Sequence, residues 1–432
     1  MYRAALFLSS LALAIAPAWG DNWPQWRGPS GDSVSTETNL PLKWSEKENI
    51  RWTCRLPGEG NSTPAIWGDA VFVTAQVGED LLALKIDRDT GRIVWSRKIG
   101  TGIANRKTPD GEKRRHQKFH TLHNLASPSP VTDGEVVVFH FGNGDLAAFD
   151  FAGKQLWSHN LQKEYGPYSI WWGHANSPVL YENVVVSVCM QDSLDDLDGP
   201  TAESYLIAHD KRTGAVKWKT ERRTKAKAEQ CDSYTTPLLR KLGDRRELVV
   251  MGGNQLDAYE PATGKQLWAL PDIVGGRTIT GPTVAGDLVY ATQGMRGPLL
   301  AVRPGAAKDD KPEIIWKQTK GTSDSACPVV WKDLLFWIAD NGLAHCCDAR
   351  TGAVKWENRL PGNYKASPLA ADGRIYFLNL AGKCTVIAAA SEFKLLAVND
   401  IQGKTLASPA VSDGHIFIRA QTALYCIGTR EK

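Results

Sequence analysis

The chain has 432 residues, 42% hydrophobic and 23% charged, with a net charge of +4. That composition excludes a disordered or fibrous chain, and so small a charge gives no ground for a nucleic-acid binder. Length alone suggests about two to three domains, but internal repeats argue for one large closed unit.

Residues 1–20 read as a secretory signal. Arg3 supplies the positive end, "AALFLSSLALAIAPA" the apolar segment, and Ala18-Trp19-Gly20 the small residues before a cut at Asp21. The segment is too short and wrongly flanked for a membrane helix, and no later stretch is apolar enough to span. No cysteine lies near the cut to carry a lipid. A periplasmic or secreted monomer starting near Asp21 is expected, with an N-terminal extension over 21–48 and the repeats over 49–432.

Two anchors recur along the rest of the chain. Tryptophan stands at 52, 95, 157, 218, 268, 316 and 356, and proline at 64, 128, 178, 237, 282, 328, 368 and 409. Each proline opens two short strand patterns around a Gly/Asp/Asn turn, as in "SPLAADGRIYFLN". A third strand, a turn x-x-T-G and a fourth strand reaching the tryptophan complete the unit. Four antiparallel strands at a spacing of 40–64 residues predict β-propeller blades. The fold expected is all-β: eight four-stranded blades, with "NIRWTC" around Trp52 completing the last one and closing the ring. A ring of seven is the alternative if the degenerate unit with Ala397 in the tryptophan slot is not a blade. The phrase "DARTGAVKW" and its copies are thus architectural. Glycine gives the turn its positive φ, the acid accepts from turn amides, and the indole packs between blades.

Ala208-x-Asp210-x-x-Thr213-Gly214-x-x-x-Trp218 matches the tryptophan-docking motif of quinoprotein alcohol dehydrogenases and their relatives, and "NWPQWRGPSGD" (22–32) is similar to the start of bacterial PQQ-like, BamB-like propellers. The resemblance covers nearly all of residues 49–428. It implies an eight-bladed ring. It also implies one of three roles: a dehydrogenase using PQQ and Ca²⁺, a ring that binds no cofactor, or an outer-membrane assembly factor. The enzymes of the family hold calcium through Glu, Asn and Asp on capping loops, a trio with no clear place here. They also stack a vicinal disulfide on the quinone. Cys346-Cys347 suggests that pair, but Cys346 falls in the small-residue slot of a strand, as Cys426 does, and both read as buried strand residues. The repeat register sets Cys54 and Cys426 on adjacent strands several residue pairs apart, beyond disulfide reach.

The insertions lie over blades 2–4 on the face opposite the T-G turns. From tryptophan to the next proline is 33 residues into blade 2, 21 into blade 3 and 19 into blade 4, against 12 elsewhere in most of the ring. Long loops on a rigid scaffold are where function concentrates. Residues 105–118 are basic, Asp192, Asp195, Asp196 and Asp198 form an acidic loop, and "YGPYSIWWGHAN" is aromatic, with Trp171 and Trp172 either stacking on a ligand or plugging the loops. His116, His120 and His123 would share a face if helical, but the glycine and charges around them favour loop, so no metal is assigned. Positions four and five before each proline are expected to ring the channel mouth. His123, Asn124, His174, Asp232, Arg277, Asp324 and Tyr364 are the binding candidates. The leading reading is a non-catalytic scaffold that binds a protein, peptide or glycan on the blade 2–4 face, with no catalytic residue and no cofactor. The alternatives are a PQQ- and Ca²⁺-dependent dehydrogenase or sensor and a BamB-type assembly factor.

Overall fold

The computed structural model describes residues 22–106, 117–191, 203–273, 275–295, 297–305 and 311–428. Residues 1–20, read from the sequence as a signal, His116, most of the basic insert and the acidic loop at 192–198 lie outside them. Eight four-stranded antiparallel sheets form the blades. Blade 8 consists of Ala410–Ser412, His415–Ala420 and Ala423–Ile427, completed on its outer edge by Ile50–Arg55. The ring is therefore closed by its N-terminal strand, and the seven-bladed alternative falls. No helix among the described residues is long and apolar enough to cross a membrane.

The repeated phrase works as a lock between neighbours. Trp52, Trp157, Trp218 and Trp316 each donate Nε1–H to the carbonyl of the residue after the acid in the next blade's turn: Arg88, Lys211, Pro261 and Ala349, at 2.8–3.2 Å. Each indole lies on that turn's glycine. A Cβ at Gly91, Gly214, Gly264 or Gly352 would stand 2.3–2.8 Å from the ring, and all four have φ between +71° and +74°. Only glycine fits both demands. Trp95 and Trp356 donate to Phe151 and Ala390 of their neighbours, whereas Trp268 turns to Glu247 of its own blade.

The missing indole at Ala397 has a physical reason. Blade 8 has no turn between its third and fourth strands, because they are the two ends of the chain, so blade 7 has nothing to dock on. Trp44 of the extension instead joins the core cluster that holds Ala397, stacked 6.4 Å from Tyr376.

The extension lies along the T-G turn face. Trp23 pairs with Ile66 of blade 1, Pro24 accepts from Thr132 of blade 2, Val34 pairs with Ala370 of blade 7, and Glu37 takes the Asp413 and Gly414 amides of blade 8. These contacts cover free inner strand edges. Arg27, fully buried, reaches blades 5 and 6 through Pro282 O, Thr283 Oγ1 and Pro328 O at 2.6–3.0 Å.

All eight cysteines are free and buried. Cys54 pairs with Leu424 and Cys426 with Trp52, two pairs apart in the register rather than several. Thiol titration should count eight groups in denaturant and almost none in the native state. A denatured count of six would reveal a bridge and contradict this arrangement.

Candidate axial site

On the insertion face the channel holds a cavity of about 400 Å³. Its wall is built by the extended segments that lead into each blade. In an extended chain alternate residues face the same way, so two stacked rings point at the axis. The outer ring is three residues before each blade's proline: Asn61, Ser127, Ala175, Tyr234, Ile279, Ser325, Lys365 and Leu406 all line the cavity. The inner ring, one residue before the proline, is a hydrogen-bonded belt. The amides of Thr63, Ser129 and Ser177 donate to the hydroxyls of Ser129, Ser177 and Thr236 at 2.9–3.0 Å. Gly281, Cys327 and Ser367 continue it to the Cys327 thiol and the Ser367 and Ser408 hydroxyls. Gly281 breaks the belt, and Trp26 fills the gap, its ring 3.3 Å from where a Cβ would stand; Trp26 is also part of the cavity wall.

This belt corrects the register of blade 2. Pro130 directly precedes the first strand, Val131–Thr132, and Ser129 before it joins the belt, so the anchor is Pro130, not Pro128. The ring expected at four and five residues before proline is also misplaced, since the wall is built by the residues three and one before it; at offsets five and four only Arg277 and Asp324 reach the cavity. Of the seven candidates, His123, Arg277 and Asp324 line the cavity. The other four sit behind the wall. His174 is buried between Tyr168 and His140, with Nε2 3.0 Å from Val188 O. Asp232 accepts from the Trp171 amide at 2.7 Å. Tyr364 donates to Pro361 O, and Asn124 packs on Ser127. These residues shape the loops rather than face the channel. Asn61, Tyr234, Ser325 and Lys365 were missed, although their fixed offset from the prolines was visible.

The cations of the wall have carboxylates beside them. Arg277 lies 3.3 Å from Asp324. Lys365 binds Asp340 and donates to Ser325 Oγ at 3.0 Å. The aromatic insert frames one side: Trp171 and Trp172, both half-buried, meet edge to face, with the Lys118 ammonium 5.3 and 5.6 Å from their rings. His120 and His123 lie on a turn rather than a helix, so they do not share a helical face. His123 Nδ1–H donates to Trp172 O at 2.9 Å, which makes Nε2 an acceptor. That nitrogen and Asn61 Oδ1 are buried with no protein partner.

Burial pushes His123 and His174 down to about 4 from the ordinary 6.5, against the bonds to Trp172 O and Val188 O. The unfolded chain then takes up more protons than the folded one between those values, so stability is full above about 6.5 and falls as pH drops toward 4. Each imidazole contributes on the order of 3 kcal/mol to that loss. Urea midpoints at pH 7 and pH 4.5 should differ more for the wild type than for His174→Gln. Equal slopes would contradict the assignment.

A quinone held as in the family's dehydrogenases does not fit these residues. Cys346 and Cys347 alternate in one strand, so Cys346 packs in the core toward blade 7 and Cys347 in the core toward blade 5, neither in the cavity wall. Asp324 and Asp340, the carboxylates at the mouth, are bound to Arg277 and Lys365.

Eight four-stranded blades, most of them locked by a tryptophan on the next blade's turn, place the chain in the PQQ-type propeller class. The chain belongs to the family described as outer membrane protein assembly factor BamB, whose model matches residues 33–193, 202–311 and 305–392. It is similar to the outer membrane protein assembly factor BamB of Burkholderia pseudomallei (strain K96243), 25% identical over 323 residues, 71% of this chain and 68% of that one. Among solved structures, BamB from Moraxella catarrhalis superposes with a TM-score of 0.60 at 14% identity, over 88% of this chain and 99% of that one. The quinohemoprotein alcohol dehydrogenase of Comamonas testosteroni superposes at 0.66 and 12% identity, over 95% and 81%. At these identities the structural likeness concerns the fold alone.

Proposed function

We propose that this chain is an exported, non-catalytic scaffold that takes an extended protein segment into the mouth of the axial cavity, beneath the blade 2–4 insertions. The observation that carries the reading is the character of the wall. Its charges are already neutralised in pairs, its outer ring mixes Tyr234, Ile279 and Leu406 with small polar residues, and two buried acceptors, His123 Nε2 and Asn61 Oδ1, lack protein partners. Such a surface suits backbone N–H groups and apolar side chains better than a small charged substrate. The curated relative is by name an assembly factor for outer membrane proteins, and an envelope protein is the partner class this supports.

Two measurements test it. Ala175 faces the cavity, and Ala175→Trp should fill it without touching the ion pairs; capture of partners from envelope extract should fall about ten-fold or more, a loss of roughly 1.4 kcal/mol. Unchanged capture would remove the cavity from the account. Protein dialysed after mixing with PQQ and Ca²⁺ should retain no quinone absorption and oxidise no alcohol or sugar. Turnover would overturn the non-catalytic reading.

A further inference from the structure

Away from the axis, the junction of blades 2 and 3 brings together His159, Glu164 and His209, each offering one ligand atom within 4.8 Å of the others. His159 lies on the outer strand Gln155–Asn160, and Glu164 on the single turn Leu161–Tyr165 that Asn160 caps. His209 lies on Tyr205–Asp210 of blade 3.

The repeat shows what is unusual here. Two residues after the docking tryptophan, Arg97, Thr220 and Gln318 donate to the carbonyls of Gly153, Gly264 and Gly352 in the next blade. His159 holds that slot, with Nε2 2.8 Å from Gly214 O. A carbonyl needs a donor, so Nε2 carries the hydrogen. In the neutral ring Nδ1 is then a lone pair, yet it faces Glu164 Oε1 at 2.9 Å. Two acceptors at that distance need a cation between them or a proton.

His209 decides between the two. Its slot holds Phe149, Tyr259, Val302 and Ile387 in other blades, all apolar or aromatic. Here it is an imidazole, fully buried, with neither ring nitrogen bonded to protein. A proton on His159 leaves both nitrogens of His209 stranded, whereas a metal ion uses one of them. The two imidazole centroids are 4.6 Å apart. Cis ligands on one metal, with bonds of about 2.0–2.1 Å, place centroids roughly 4.5–5 Å apart. Trp157, stacked 6.0 Å from His209, and Gly214 O, which fixes the His159 tautomer, supply the outer support a metal ligand needs.

We propose that His159, Glu164 and His209 bind one divalent transition metal ion, zinc foremost, clamping blade 2 to blade 3. Two imidazoles and one carboxylate are a borderline donor set, and half-exposed His159 and exposed Glu164 leave remaining positions open to water.

The test uses untagged full-length protein stripped with chelator and titrated calorimetrically with ZnCl₂. Cobalt(II) absorption and the thermal midpoint serve as independent readouts. One equivalent should bind, raise the midpoint and give a visible cobalt band. Glu164→Gln, a surface change, and His209→Leu, which restores an apolar residue to an apolar slot, should each weaken zinc about ten-fold or more. Circular dichroism of both variants shows that they fold. No saturable binding up to about 1 mM zinc, or binding equal in wild type and both variants, would overturn the site.

Discussion

Trp157→Ala should lower stability by about 3–5 kcal/mol, the range for emptying a large aromatic from a packed core. The indole is 7% exposed and packs with Val131, Val138, Leu146 and Val185 across the junction of blades 2 and 3. Its Nε1–H satisfies Lys211 O at 2.9 Å, and its ring covers Gly214, where a Cβ would come within 2.8 Å. Truncation leaves both a cavity and a buried carbonyl without a donor. Trp157→Phe keeps most of the volume and loses the bond, so about 1–2 kcal/mol is expected. Urea unfolding of the three proteins measures the series. Equal losses for Ala and Phe would show that the hydrogen bond, not the packing, holds the blades together.

Arg27→Met should cost a further large amount, about 3–5 kcal/mol, by a different route. Its guanidinium, fully buried, gathers Ser33 Oγ, Pro282 O, Thr283 Oγ1 and Pro328 O, and so ties the extension to blades 5 and 6. Methionine fills the space but donates nothing, and buried acceptors left without donors cost about 1–3 kcal/mol each. The extension should then lift from the turn face. Limited proteolysis would cut the variant within residues 24–40 well before the wild type. A variant that resists cleavage as well as the parent would mean that the Trp23–Ile66 and Val34–Ala370 pairs suffice to hold the segment.

The architecture was legible because a propeller writes its packing locally. Indole, turn glycine and turn acid sit within one short phrase, and counting the proline-marked first strands gave eight blades and predicted that the strand around Trp52 returns to the Ala423–Ile427 edge, as it does. Ala397 looked like degeneration in the sequence, but its cause is a turn that blade 8 cannot have. The site was less legible. The mouth ring depends on which phase of an extended chain faces the axis, and one extra Ser-Pro, 129–130, shifted the reading of blade 2. The roles of Arg27, Trp26 and Trp44 depend on contacts as much as 355 positions away in sequence, as between Trp44 and Asn399, and no local pattern encodes these. His209 carries a signal in hindsight, as an imidazole where the repeat otherwise places apolar side chains.

A partner taken up at the cavity mouth must meet one face of the ring and not the other. Photo-crosslinking residues placed at Lys118 and Lys404, beside the cavity mouth, can be compared with the same residue at Asp89 and Arg350, on the exposed T-G turns of the other face. The mouth positions should form a discrete protein adduct in envelope preparations, the turn positions should not, and Ala175→Trp should abolish it. Adducts confined to the turn positions, or mouth adducts indifferent to the filled cavity, would contradict uptake at the mouth.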